Sequence, residues 1–195
     1  MKYRVCYVLL LVLTMVTLHA QNEDTEEKKD KPKYYYRLDA SYIFGGQVYN
    51  DNFTYNPAIG GQFSVGKLLN KHVALGTGVG LQYFDDERFI PIFLEATGFK
   101  KSKSNSGYIK MQVGYSYAFA NSSAYMDDYE LNGGVFFDAG IGKKFELKNN
   151  YNLHFQVSYR HQFAELEYNI FNDNDFTTAL NYDMLVLSLG FSKHK

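Results

Sequence analysis

The sequence contains no tryptophan, three prolines and one cysteine. That residue, Cys6, lies near the start of an apolar amino-terminal run, so the rest of the chain has no disulfide, no thiolate metal ligand and no thiol nucleophile. Its position also argues against a lipoprotein, in which the acylated cysteine would stand at the end of the run. Charge of one sign is lacking too. Of the 20 Lys and Arg, Lys2 and Arg4 lie in the leader, which leaves 18 against 21 Asp and Glu and offers no basic excess for nucleic acid. Beyond the leader no apolar run reaches the roughly 20 residues a membrane-spanning helix needs, so membrane residence would have to rest on strands.

Met1 to Ala20 has a basic start, an apolar stretch from Val5 to Leu18, and Leu18-His19-Ala20 before Gln21, the pattern of a cleaved secretory signal. Gln21 to Lys33 holds five acids and four bases and almost nothing apolar. Such a segment cannot bury enough surface to offset the entropy of ordering, and it is expected to be a solvated periplasmic linker. The folded domain is expected from residue 34 to residue 195.

Aromatic residues are abundant, with 18 Tyr and 16 Phe making up 17% of the chain. From Tyr34 onward, about ten residues of apolar alternation are repeatedly followed by a cluster of Gly, Asn, Asp, Ser or Lys, as in strands joined by turns. Eight such stretches are read: Tyr34 to Phe44, Ala58 to Lys67, His72 to Phe84, Phe89 to Phe99, Tyr108 to Phe119, Leu131 to Lys143, Asn152 to Phe163 and Asp183 to Phe191. In the seventh, Leu153, Phe155, Val157, Tyr159 and Phe163 oppose His154, Gln156, Ser158, Arg160 and Gln162. The fourth is less clean, because Phe93 and Phe99 share a face with Glu95 and Thr97. In the closing stretch Leu185, Leu187, Leu189 and Phe191 fall on one face and Ser188 and Gly190 on the other.

Alternation suits a soluble barrel as well as a membrane one, but side-chain volume separates them. The interior of an eight-stranded barrel is barely wide enough for its own side chains. The Tyr, Phe, Leu and Ile face would overfill it, whereas the Gly, Ser, Ala and Gln face fits. The apolar face is therefore turned to lipid. The expected fold class is all-β, an eight-stranded antiparallel up-and-down transmembrane β-barrel preceded by a cleaved signal peptide. Connections at Gly45 to Pro57, Ala120 to Glu130 and Ala164 to Asn181 are long and are placed outside; those at Leu68 to Lys71, Lys100 to Gly107 and Lys144 to Tyr151 are shorter and are placed in the periplasm with both termini. Asp85 to Arg88 is an outer connection as tight as a turn.

The Pro-containing stretch Phe89-Ile90-Pro91-Ile92-Phe93-Leu94-Glu95-Ala96, a Lys/Ser turn, and Tyr108 to Tyr117 with its Gly114-Tyr115-Ser116-Tyr117 ending resemble a block of the small outer-membrane β-barrel proteins of the Bacteroidetes, of the OmpX and OmpA-barrel type. The resemblance covers Tyr34 to the end and implies the outer membrane of a Gram-negative bacterium. The closing amphipathic strand ending in Phe191 also resembles the carboxy-terminal signal read by the barrel assembly machinery. It departs from that signal in the four residues that follow, Ser192 to Lys195. The partners implied are outer-membrane lipid, lipopolysaccharide and that machinery; no nucleic acid and no cofactor are expected.

Parity turns Arg37, Lys110 and Arg160 inward together with Asp39, Glu95 and Asp138, three charges of each sign. Unpaired charge in a dry interior costs several kcal/mol, so these six are expected to form a paired polar plug. The alternative is a small porin-like channel. A third reading, lipid A modification, would need His with Ser, and none of His72, His154, His161 or His194 stands in a His-x-Ser arrangement. His161 is the best placed of them, facing outward with Glu165 and Glu167 beyond. No catalytic residue and no metal site is assigned; Asn172-Asp173-Asn174-Asp175 lacks the spacing, glycine and closing Glu of a calcium hand. The outer connections carry Tyr49, Phe53, Tyr55, Tyr125, Tyr129, Tyr168, Phe171 and Phe176 among Asn and Asp, a composition suited to adaptable contacts.

Overall fold

A computed structural model describes residues 34–49, 52–100, 105–120, 129–169 and 175–194. The leader, the charged linker, Tyr125, Phe171 and the Asn172 to Asn174 run lie outside the described residues. Eight long antiparallel strands form the wall: β1 (Tyr34–Tyr49), β3 (Ala58–Leu68), β4 (Val73–Tyr83), β5 (Glu87–Phe99), β6 (Asn105–Ala120), β8 (Gly134–Glu146), β9 (Tyr151–Asn169) and β10 (Asp175–His194). Two short strands, β2 (Asn52–Tyr55) and β7 (Tyr129–Asn132), pair with β1 and β9.

Neighbours in sequence are neighbours in the sheet, and β10 pairs with β1 from Tyr35↔His194 to Val48↔Asn181, which closes the barrel and removes both edges. The register sets Leu38 against Phe191, Asp39 against Gly190 and Tyr42 against Leu187. Burial alternates strictly along most strands. On β5, for example, Phe89, Pro91, Phe93, Glu95 and Thr97 are buried, and Ile92, Leu94 and Ala96 are exposed.

The large apolar side chains point out of the molecule. Leu38, Ile59, Leu94, Ile109, Met111 and Ile141 are all more than half exposed, which in water would be untenable over so broad a band. Tyr42, Phe44, Tyr83, Tyr115, Tyr117, Phe119, Phe137, Tyr159 and Phe163 ring the band near one end of the barrel, taken as the outer one, and Tyr34, Tyr36 and Tyr151 sit near the other, where β1 begins and β10 ends. An apolar band between aromatic girdles is the surface of a strand barrel in lipid.

Three sequence expectations are corrected. The long outer connections are largely ladder: β1 continues five residues past Phe44, β9 runs to Asn169, and β10 begins at Asp175, eight residues before the expected Asp183. With 19 and 20 residues, β9 and β10 far exceed the 9–11 or so that cross a bilayer. Their outer parts run on past the apolar band with the pattern inverted: Ala164, Leu166 and Leu180 turn inward, and Glu165 and Glu167 take the outward face. The sixth stretch is broken at Gly133, and its first residues form β7. The lumen is also not polar throughout. Its outer half is filled by Ile43, Ala58, Phe84, Phe89, Leu131, Ala164, Leu180, Tyr182, Met184 and Val186, a contiguous apolar cluster.

Candidate functional site

Among the described residues the strands concentrate buried polar chemistry in the lumen, which is built in layers. Parity on β1 carries Tyr35, Arg37 and Asp39 inward, β5 supplies Glu95, β6 supplies Tyr108, Lys110 and Gln112, β8 supplies Asp138, and β9 supplies His154, Gln156, Ser158 and Arg160; all are buried. Arg37 Nε bonds Asp39 Oδ1 at 2.8 Å, while its Nη2 donates to Tyr108 Oη at 3.1 Å and to Gln156 Oε1 at 3.2 Å. Lys110 Nζ lies 3.8 Å from the other Asp39 oxygen. Arg160 Nε donates to Asp138 Oδ2 at 3.1 Å and is joined there by Ser158 Oγ, also at 3.1 Å.

Among the described residues no cation is paired directly with Glu95. Its carboxylate accepts from Tyr35 Oη at 2.6 Å, Ser64 Oγ at 3.0 Å and Gln112 Nε2 at 3.1 Å. Gln112 in turn accepts from Arg160 Nη2 at 3.3 Å, so the Glu95 and Asp138 groups belong to one network. Charge-assisted bonds of this kind offset part of the cost of taking ions out of water. Ring faces complete the packing: the Arg37 guanidinium lies 5.4 Å from the Tyr108 centroid and that of Arg160 lies 5.0 Å from Phe136.

Above this layer sits a lid that sequence reasoning missed. Tyr182, Phe84 and Phe89 contact one another with centroids 5.1–5.6 Å apart. Glu87, 1% exposed, accepts from Gln47 Nε2 at 2.6 Å and from Tyr182 Oη at 2.8 Å. Glu87 follows Asp85 and Asp86 in a stretch that reads as a solvated turn. Tyr182 and Leu180 precede the alternation of the closing strand, so neither could be given a face.

At the mouth where β1 begins and β10 ends, His154 Nε2 lies 2.7 Å from Ser192 Oγ, a pairing across 38 residues that no local motif announces. The cavity beside them, lined by Tyr35, Arg37, Thr97 and Phe99 as well, holds about 10 Å³, room for one water at most. On the outer face, His161 Nδ1 lies 2.7 Å from Asp183 Oδ1, and Tyr159 Oη bonds the same carboxylate. The imidazole is stacked on Phe137 and edge-on to Phe163. His72 is an exposed turn residue whose Nδ1 lies 3.2 Å from the Phe99 carbonyl. Among the described residues no group of three or more His, Cys, Asp or Glu is placed to hold a metal ion.

The outward members of the closing strand are Leu185, Leu187, Leu189 and Phe191. Leu187 is half-buried between Tyr42 and Val157, and the other three are exposed. Of the outer-loop aromatics, Tyr49, Phe53 and Tyr55 are exposed on the β1–β2 hairpin, while Tyr129, Tyr168 and Phe176 have only their backbone described, in the β7–β9–β10 ladder.

A closed barrel of eight long antiparallel strands, banded with apolar side chains outside and filled within, is a transmembrane β-barrel of the outer-membrane type. No known family and no curated protein matches the sequence. Among solved structures the fold is similar to that of the outer membrane protein OprG from Pseudomonas aeruginosa, with a TM-score of 0.55 and 9% identity over 84% of this chain and 95% of that one. It is also similar to Neisserial surface protein A, with a TM-score of 0.56 and 12% identity over 84% of this chain and 99% of the other.

Proposed function

We propose that this chain is a non-enzymatic barrel of the Gram-negative outer membrane, a small Bacteroidetes protein of the OmpX and OmpA-barrel type, with a closed lumen and a structural or surface-interaction role. The observation that carries the closed lumen is its double filling: an apolar lid of Tyr182, Phe84 and Phe89 over a charged layer of Arg37, Asp39, Lys110, Glu95, Asp138 and Arg160. The interaction surface is the β-sheet that β9, β10, β7 and the β1–β2 hairpin raise beyond the lipid. In this reading the apolar wall meets outer-membrane lipid and lipopolysaccharide, and the closing strand is the segment handed to the barrel assembly machinery. A non-enzymatic role is supported by the mouth cavity, too small to bring an ester carbonyl to Ser192 and His154.

The purified protein in planar bilayers is expected to show no steady conductance, and a persistent open channel would overturn the closed-lumen reading. Lipid A mass spectra are expected to be identical in deletion and parent strains. Replacing residues 165–181 with a tight turn is expected to lower adhesion of cells to their surfaces while the barrel still folds. A small gated channel is the second reading, favoured by the buried Gln82 amide, whose nitrogen and oxygen both lack a hydrogen-bond partner among the described residues. Conductance that appears only under applied voltage or altered pH would select it.

A further inference from the structure

The barrel wall is interrupted where Asn132 to Phe136 takes four steps while its partner on β9 takes three, from Glu165 to Gln162, so the strand bulges at Gly133–Gly134. The bulge is pressed against β6. A Cβ on Gly133 would lie 1.7 Å from the Ser116 carbonyl oxygen, and Tyr115 Oη donates to the Gly133 carbonyl at 3.0 Å. Beyond Ser116↔Gly134 the β6–β8 ladder ends. There the outer face carries a groove of about 470 Å³, lined by Tyr115, Val135, Phe163 and Ala179 and by the polar Glu165 and Asn181.

The surroundings of this groove carry charge of one sign. On the same outward face Glu130 stands directly opposite Glu167, and Asn132 opposite Glu165. Like charges facing each other across a ladder destabilise it. Asp183, two residues below Asn181, is held by Tyr159 and His161. Among the described residues that line or flank the groove, His161 is the one base, and its ring already bonds Asp183.

We propose that the groove holds a glycerophospholipid with an ammonium-bearing head group, of the phosphatidylethanolamine kind. An acyl chain lies along Tyr115, Val135 and Phe163, and the ammonium meets Glu165 and the acids beside it. The groove straddles the outer aromatic girdle, with apolar lining toward the hydrocarbon and polar lining toward water, so an amphiphile matches both ends. Its volume is in the lower part of the range that holds a small ligand, which suits one chain rather than the several of a lipopolysaccharide. The phosphates of a lipopolysaccharide would also face the acidic rim without a base to pair with. The inference requires a membrane-embedded barrel, but not that the lumen be closed or the protein non-enzymatic.

Native mass spectrometry of the full chain in mild detergent, titrated with phosphatidylethanolamine and phosphatidylglycerol of identical acyl chains, tests it. The ethanolamine lipid is expected to be retained roughly fivefold better, as one favourable charge contact at a membrane surface implies. Glu165→Lys is expected to reverse that preference, and Ala179→Trp, which fills the groove, to abolish retention of both lipids while heat-modifiable gel migration shows an intact barrel. Equal retention of the two probes by the unaltered protein, or displacement of the ethanolamine lipid by lipopolysaccharide at equal concentration, would overturn the proposal. Should Ala179→Trp fail to fold, the two-lipid comparison and Glu165→Lys decide alone.

Discussion

At Gly190 the packing of the charged layer depends on a missing atom. A Cβ there would come within 1.8 Å of Asp39 Oδ1, the oxygen that Arg37 Nε bonds. Gly190→Ala must displace that carboxylate, break its bond to Arg37 and disturb Lys110 beyond it. The expected loss is about 1–3 kcal/mol of unfolding free energy, the cost of overpacking a filled interior. Gly98→Ala is the control, since a Cβ there has nothing within 4 Å, and its urea unfolding midpoint in lipid vesicles should match or exceed that of the parent. Equal midpoints for the two variants would show that the Asp39 carboxylate moves freely. Arg37, Asp39, Lys110, Asp138 and Arg160 lie in stretches whose neighbours alternate, so parity gives each a side, whereas Glu95 lies in the fourth stretch, where Phe93 and Phe99 share its face and blur the pattern. Glu87 and Tyr182 were not legible in the sequence, because one reads as part of an acidic turn and the other precedes any apolar period. The His154–Ser192 pair was hidden for a different reason: it depends on inter-strand register, which a single strand's pattern does not specify.

Among the elements, the closing strand has its two faces in sharply different surroundings. Leu187 faces outward between Tyr42 of β1 and Val157 of β9, and Ser188, 7% exposed, faces the lumen. Leu187→Arg places a cation against hydrocarbon near mid-strand, which costs about 2–4 kcal/mol at the bilayer midplane, whereas Ser188→Asn adds a polar amide to a polar layer. Heat-modifiable migration of membrane fractions should show folded Ser188→Asn and depleted Leu187→Arg; equal folding of both would reverse the face assignment. The lipid-embedded parts of the strands were readable because lipid on one side and a narrow lumen on the other impose a period of two. Beyond the apolar band the contrast inverts, with Ala164 and Leu166 inward and Glu165 and Glu167 outward. The outer ends of β1, β9 and β10 therefore look like loops rich in Asn, Asp and Tyr, although they continue the same ladder. The break between β7 and β8 at Gly133 went unread because Asn132-Gly133-Gly134 suits a turn as well as a bulge.

For the whole molecule, the layered lumen would make the closure proposed above redundant. A solute entering from outside meets Tyr182, Phe84, Phe89 and Met184 first, and only behind them the Arg160–Asp138 and Arg37–Asp39 pairs. The two barriers differ in kind: the lid excludes ions by withholding polar contacts, and the lower layer blocks passage by occupying the lumen with groups already bonded to one another. Removing either should leave the other in place. Tyr182→Ala with Phe89→Ala is expected to leave planar bilayers non-conducting, and so is Arg160→Ala with Asp138→Ala, a change that removes both partners and so avoids the roughly 3–5 kcal/mol penalty of stranding one buried charge. Combining the four substitutions should yield a small steady conductance, because the lid and the Arg160–Asp138 level are then both emptied. A conducting lid variant would place the whole barrier in the aromatic layer, and a silent fourfold variant that still shows heat-modifiable migration would place it below Arg160, among Tyr35, Arg37 and Tyr108.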